Sequence, residues 1–226
     1  MDMAPNSFDD QYEGCRKAME AKLNELNCTE FETKTKYSKA WKEATAKLLS
    51  RGSELSMQAI ALMAYTLPEP SLHKDFNEAV HEAGSSRNQY LRNFPYKVMH
   101  FLLTKAVQDL GEANGHQCYD VYRGVKESFT AQVGETVRFG YFASSSLNRT
   151  RAEMYGNHTI FSVHTCCGAP IWDYALSKDH KEVLIPPFET FKVMNVSQEG
   201  KRCIIKLHAQ AKHSNYSCEF VKGDVL

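Results

Sequence analysis

The 226-residue chain has no excess of either charge, since 27 Lys and Arg are matched by 27 Asp and Glu. That balance excludes a dedicated nucleic-acid binder, which needs a basic surplus to neutralise phosphates. No apolar run approaches the roughly 20 residues of a membrane-spanning helix. The opening Met1–Pro5 lacks a basic region followed by an apolar stretch, so no secretory leader is visible. The closing residues lack the hydrophobic tail of a lipid-anchor signal. Also missing are the Gly-Lys-Ser/Thr phosphate loop, Gly-x-Gly-x-x-Gly, His-Glu-x-x-His and Gly-x-Ser-x-Gly. Kinases, dehydrogenases of the usual fold, zinc proteases and serine hydrolases are therefore poor fits. With 42% hydrophobic residues, the chain has enough apolar side chain to build a core, which excludes wholesale disorder.

Cysteine is not scarce. Seven are present, but without the two close pairs, or the Cys pair and His pair, of a zinc ribbon or finger. His158, His164, Cys166 and Cys167 form the sole local metal candidate, and alternation along a strand separates Cys167 from the other two members of that strand. Paired cysteines are the stronger reading, because five glycosylation sequons accompany them, at Asn27, Asn148, Asn157, Asn195 and Asn215. Disulfides persist outside the reducing cytosol, so the two signals agree on a secretory history. The expectation is an extracellular protein, secreted or held at the cell surface by an anchor outside this sequence, with its leader trimmed away.

The first half carries helical periodicity, over Phe8–Leu26 with a capping start at Ser7 and Asp10, around Tyr37–Leu49, over Met57–Leu67, and over Tyr90–Leu110. After Gly111–Gly115 the pattern becomes short and β-rich: 118–122, 135–143, 159–166, 182–185, 190–196, 203–208 and 216–221. Strands do not alternate with helices, so a doubly wound nucleotide fold is excluded. The expected class is α+β: a helical N-terminal part (1–115) packed on a mainly antiparallel β-sandwich core (116–226), together one compact domain.

Three segments are hard to explain as core. Val121–Gly124 ends an apolar strand in Arg123, a residue that is costly there unless it meets an anion, and Gly124 lets a ligand approach the backbone. Phe139–Ser146 ends in three hydroxyls, Ser144, Ser145 and Ser146. His180–Pro187 places one carboxylate, Glu182, at the head of an apolar strand stopped by two prolines. Taken singly, these read as an ion pair, a turn and a solvated strand edge.

Taken in order, Arg123, Ser144 and Glu182 resemble the R-S-E signature of the mono-ADP-ribosyltransferases, and most closely that of the vertebrate ecto-enzymes. The opening Ala4–Cys15, Val137–Gly140, His164–Cys166 and the closing Ser214–Cys218 match as well, so the likeness covers nearly the whole chain. It implies disulfides Cys15–Cys218 and Cys118–Cys166, with a further Cys28–Cys203 bridge open and one thiol left over. It also implies an enzyme that takes NAD⁺ as substrate and needs no metal. In that reading Arg123 grips the pyrophosphate, Gly124 bonds the nicotinamide amide, Ser144 orients the acid and the ribose, and Glu182 stabilises the developing sugar cation. Phe161 is a candidate wall for nicotinamide.

The sequence departs from the arginine-specific pattern at one place. Those enzymes carry Glu-x-Glu, whereas here His180 stands at the first position. A guanidinium is permanently protonated, and a histidine supplies no negative charge to hold it. The expectation is NAD⁺ cleavage with water as the main acceptor and weaker transfer to arginine. Trp172 and Tyr174, in the turn that the family uses for acceptor recognition, are candidates to stack on an acceptor. The rival readings are a catalytically silent binding protein, a secreted toxin with the same chemistry, and a zinc hydrolase using the His/Cys cluster.

Overall fold

The structure, a computed structural model, describes residues 1–53 and 55–224. Two compact units emerge. A helical unit comprises Asn6–Ala106, Tyr174–Leu176 and the segment from Ser214, and a β-rich unit comprises Met1–Pro5, Val107–Asp173 and Ser177–His213.

The helical unit contains α1 (Arg16–Thr33), α2 (Thr35–Ser50), α3 (Met57–Thr66), α4 (Leu72–Ala83), α5 (Arg87–Asn93) and the first part of α6 (Lys97–Ala113). In α2, Tyr37, Ala40, Ala44 and Leu48 recur every three or four residues, and all are buried. Ser56 and Ser86 start α3 and α5 by accepting hydrogen bonds from the amides of Ala59 and Gln89. Glu30 of α1 does the same for α6 from a distance, accepting from the amides of Lys97 at 2.6 Å and Val98 at 3.2 Å. Burial pushes the Glu30 carboxyl up to about 7, against those two bonds and the Lys97 charge.

Two helical expectations are corrected. The stripe from Phe8 becomes helical only at Arg16, because Asp10 accepts from the Tyr12 amide at 2.8 Å and Tyr12 lies at φ 55°. Asp10 thus makes a local turn with Tyr12, and Ser7 and Asp10 do not start a helix. The stripe from Tyr90 to Leu110 divides into α5 and α6 at Phe94–Pro95, where proline ends the first helix. Helix α4 has no counterpart in the sequence reading.

The β-rich unit holds eight strands: β1 (Tyr119–Val125), β2 (Thr136–Val137), β3 (Ala143–Ser146), β4 (Thr159–Thr165), β5 (Ala169–Pro170), β6 (Glu182–Ile185), β7 (Glu189–Glu199) and β8 (Arg202–Lys212). Their order is β2-β7-β8-β4-β1-β3-β6-β5, and every pairing is antiparallel except β4 with β8. The fold is thus α+β with a mainly antiparallel sheet. Alternate residues such as Val121, Phe161, Val163, Phe191 and Ile205 supply its core. A short helix, α7 (Arg149–Glu153), follows β3; Asn148 caps it, accepting from the Thr150 amide at 2.9 Å.

The expected strand 135–143 survives only as β2, since the backbone turns at Gly140, φ 70°. Its Arg138 is buried and donates to the carbonyls of Ala4 at 3.0 Å and His213 at 3.3 Å. That motif is a structural clamp on the first residues. The expected strand 216–221 is also corrected. The amides of Asn215 and Tyr216 bond the Asp9 carboxylate, at 2.8 Å and 3.1 Å, and leave no ladder for the segment to join.

Two disulfides are present, Cys15–Cys218 in the helical unit and Cys118–Cys166 in the β-rich unit. Cys28, Cys167 and Cys203 are free thiols, so the optional third bridge is not formed. Of the five sequon asparagines, Asn148, Asn157, Asn195 and Asn215 are exposed, whereas Asn27 is half-buried within α1.

Candidate active site

The three segments singled out in the sequence converge within the β-rich unit. Strands β1 and β3 meet at one bridge, Tyr122 opposite Ser146, whereas β3 and β6 pair over four positions. Next to that bridge the Arg123 side chain takes over from the backbone. Its Nη1 donates to the Ser144 carbonyl at 2.7 Å. The guanidinium also lies 5.6 Å from the centre of the Tyr141 ring, in cation–π range. Arg123 Nε is buried and finds no hydrogen-bond partner among the described residues. An unmet N–H on a buried, permanent cation is costly, and an anion is the natural group to meet it.

The three serines have separate tasks. Ser144 donates its hydroxyl to the Glu182 carboxylate. Ser145 Oγ donates to the Val183 carbonyl and Ser146 Oγ to the His180 carbonyl, each at 2.7 Å. One hydroxyl thus addresses the acid, while the other two brace the chain on either side of it. Glu182 heads β6 in a half-buried position. Burial raises its carboxyl above the usual range, opposed by the Ser144 hydrogen bond and the Arg123 charge. Arg123, Ser144 and Glu182 therefore form one interacting group.

His180 ends a short 3₁₀ turn, Lys178–His180, and is followed by Lys181 in the left-handed region, φ 41°. Lys181 is exposed. The His180 ring is not free: its Nδ1 lies 3.1 Å from the Tyr155 hydroxyl, and the two rings meet edge to face. Tyr155 is 60% exposed. Its hydroxyl is held in the neutral form by partial burial, then by the Glu182 charge, with Arg151 opposing. Sequence reasoning missed Tyr155, because nothing in Met154–Gly156 reveals what lies across from it 25 residues later.

Gly124 lies where β1 closes on the segment after α7. A Cβ added there would sit 2.2 Å from the Gly156 carbonyl oxygen and 2.4 Å from that of Ala152. Reciprocally, a Cβ on Gly156 would lie 2.2 Å from the Val125 carbonyl carbon. The missing side chains let β1 and the segment after α7 touch backbone to backbone. The space beside Gly124 is thus filled by the protein itself.

The remaining candidates divide. Phe161 is 1% exposed and packs edge to face against Phe129 and Phe139, within the core of the sheet. Trp172 is half-buried against the β-rich core. Tyr174 belongs to the Tyr174–Leu176 stretch of the helical unit.

The metal candidate has lost a ligand. Cys118, His164 and Cys166 bring their ligand atoms within 4.8 Å of one another, but Cys118 and Cys166 are bonded together and offer no thiolate. The turn after them is held by buried Glu189, which accepts from the amides of Cys166 at 2.7 Å and Cys167 at 3.0 Å. The same carboxylate and burial raise the Cys167 thiol to about 12, which keeps it protonated and inert.

Comparison with known proteins bears on this arrangement. The family model described as NAD:arginine ADP-ribosyltransferase matches residues 1–215. The erythroblast NAD(P)(+)–arginine ADP-ribosyltransferase of Gallus gallus is 48% identical over 98% of this chain and 76% of its own length. The GPI-linked NAD(P)(+)–arginine ADP-ribosyltransferase 1 of Homo sapiens is 43% identical over 98% of this chain and 74% of its own. Among solved structures, the eucaryotic mono-ADP-ribosyltransferase ART2.2 superimposes with a TM-score of 0.83 at 36% identity, covering 96% of this chain and 97% of that one. A mutant of ART2.2 in complex with NAD gives a TM-score of 0.82, also at 36% identity.

Proposed function

The chain belongs to the NAD:arginine ADP-ribosyltransferase family, and on that premise we propose that it cleaves NAD⁺ at the ribosyl–nicotinamide bond, passing ADP-ribose mainly to water and less readily to arginine. The observation that carries this is the joined group of Arg123, Ser144 and Glu182, with one guanidinium N–H unmet.

Each residue answers a need of the reaction. NAD⁺ brings a doubly anionic pyrophosphate, which a planar, permanently charged guanidinium holds through paired hydrogen bonds. Arg123 supplies the guanidinium. Loss of neutral nicotinamide builds positive charge on the ribose, as in glycoside cleavage. A carboxylate fixed beforehand in a part-buried setting stabilises that charge without reorganising. Glu182 is so fixed, by the Ser144 hydroxyl and by serines bracing the strand head. Gly124 contributes through its backbone alone. No step calls for a metal ion.

Acceptor choice turns on His180. A guanidinium acceptor needs a carboxylate to attract it and take its proton; His180 provides no charge, and Lys181 beside it repels cations. Trp172 and Tyr174, in the segment leading to this turn, remain our candidates for acceptor contact. The exposed sequons, the disulfides and the GPI-linked relatives support an extracellular or cell-surface location.

The test is nicotinamide release from NAD⁺ by the purified chain, with Glu182→Gln as its control. Release that falls about 10²–10³-fold in the variant is expected, as for loss of a preorganised electrostatic group. An unmodified chain that binds NAD⁺ and releases nothing would be the silent binding protein instead.

A further inference from the structure

We infer that Cys118, Cys166 and His164 form a zinc site that the disulfide keeps shut: once a reductant opens that bond, they take one Zn²⁺, with His208 as the fourth ligand.

The register of the sheet brings these residues together. Cys118 directly precedes β1 and Cys166 directly follows β4, one position beyond the Tyr119–Thr165 pair, with their Cα atoms 4.1 Å apart. Asp120 and His164 are paired two residues further in, on the same face, because alternate residues of a strand share a face. His164 in turn lies opposite His208 of β8. The side chains converge accordingly. Both sulfurs and a ring nitrogen of His164 lie within 4.8 Å of one another, and all three residues are half-buried. The rings of His164 and His208 stack, with centres 4.6 Å apart and planes 20° from parallel. His164 Nδ1 is 2.8 Å from Asp120 Oδ1. Donation of Nδ1–H to that carboxylate leaves the lone pair on Nε2, the way a carboxylate commonly backs a metal-bound histidine.

The donor set selects the ion. Two thiolates and two imidazoles make the Cys₂His₂ set of structural zinc sites, and soft thiolates favour zinc over calcium or magnesium. While the S–S bond stands, neither sulfur is a thiolate. A dithiol opens it by passing two electrons to the bond and two protons to the sulfurs, and itself becomes a disulfide. Zn²⁺ then displaces the two thiol protons, which go to solvent. Cys167 is the poorer ligand, since burial and then the Glu189 charge push its thiol up to about 12. The ion restores between β4 and β1, the strand of Arg123, the tie that reduction removes.

The experiment adds Zn²⁺ to the whole chain with and without a phosphine reductant, which does not compete for the metal as a dithiol does. Co²⁺ in place of Zn²⁺ reports thiolate ligation through its charge-transfer absorbance. One tightly held Zn²⁺ per chain and a thiolate–cobalt band are expected after reduction, and neither before it. The oxidised chain keeps Cys28, Cys167, Cys203 and every histidine, so equal binding without reductant overturns the inference. The double variant Cys118→Ser, Cys166→Ser keeps the thiols that reduction frees at Cys15 and Cys218, and undiminished binding by it overturns the inference as well. His164→Gln and His208→Gln, each folded with the disulfide intact and reduced afterwards, should bind at least about tenfold more weakly. Unchanged affinity in His164→Gln refutes the site, and in His208→Gln its fourth ligand. A reduced, unmodified chain that takes up no Zn²⁺ refutes it outright.

Discussion

Replacing His180 by glutamate is the most direct probe of acceptor choice. The position is half-buried, at the end of a braced turn and two residues from Glu182. A carboxylate and a guanidinium in contact at about 4 Å attract by ~1 kcal/mol in bulk water and ~4 kcal/mol at an effective dielectric near 20. A half-buried site lies between these, and Lys181 subtracts from the gain, so about 2 kcal/mol is a reasonable central value. That corresponds to a rise of ~30-fold in arginine transfer relative to hydrolysis. Tyr155 can donate to the new carboxylate, so the fold of the turn should persist. The assay follows nicotinamide release and ADP-ribosyl-agmatine in the same reaction, with KM for NAD⁺ measured beside them. The expected result is a changed product ratio at unchanged KM. If the ratio stays constant while NAD⁺ cleavage is intact, His180 does not face the acceptor and the reasoning from charge fails.

Two further outcomes follow from buried carboxyls. In the proposed cleavage Glu182 acts as an ionised carboxylate, and burial raises its proton affinity. Activity should therefore rise with pH along a limb above the ordinary glutamate range, and a limb in kcat at or below about 4.3 would contradict this. Glu30, pushed from 4.5 up to about 7, keeps its proton in the folded chain over a window where the unfolded chain has lost it. Stability from this group is full below pH about 4.5 and is lost as pH rises through about 7, amounting to ~3 kcal/mol. Urea unfolding at pH 5 and pH 8 should show the parent losing that amount relative to Glu30→Gln, and parallel profiles would refute it.

What could be read from the sequence depended on whether the cause was local. The strand 182–185 has the expected bounds because an apolar run stops at two prolines. Helices α2 and α3 were legible from their periodicity alone. The errors arose where a distant group claimed the backbone. Asp9 holds the amides of Asn215 and Tyr216, more than 200 residues away, so a β-like stretch never joins a sheet. At the site, the order Arg123, Ser144 and Glu182 was visible through its likeness to the R-S-E signature, since singly each residue also reads as an ion pair, a turn or a strand edge. The division of labour among the serines was not, since it depends on which carbonyl each hydroxyl faces. Tyr155 was illegible for the same reason.

The close approach of Gly124 and Gly156 joins the two segments that carry Arg123 and Tyr155 backbone to backbone. Arg123 precedes one glycine and Tyr155 the other, so a shift in either segment is transmitted to its opposite number. Attempts to retune this protein toward a new acceptor by reshaping the stretch around Tyr155 should therefore disturb how tightly the dinucleotide is held. His180 is tied to the same segment through the Tyr155 hydroxyl, 3.1 Å from its Nδ1, so changes there feel that coupling too.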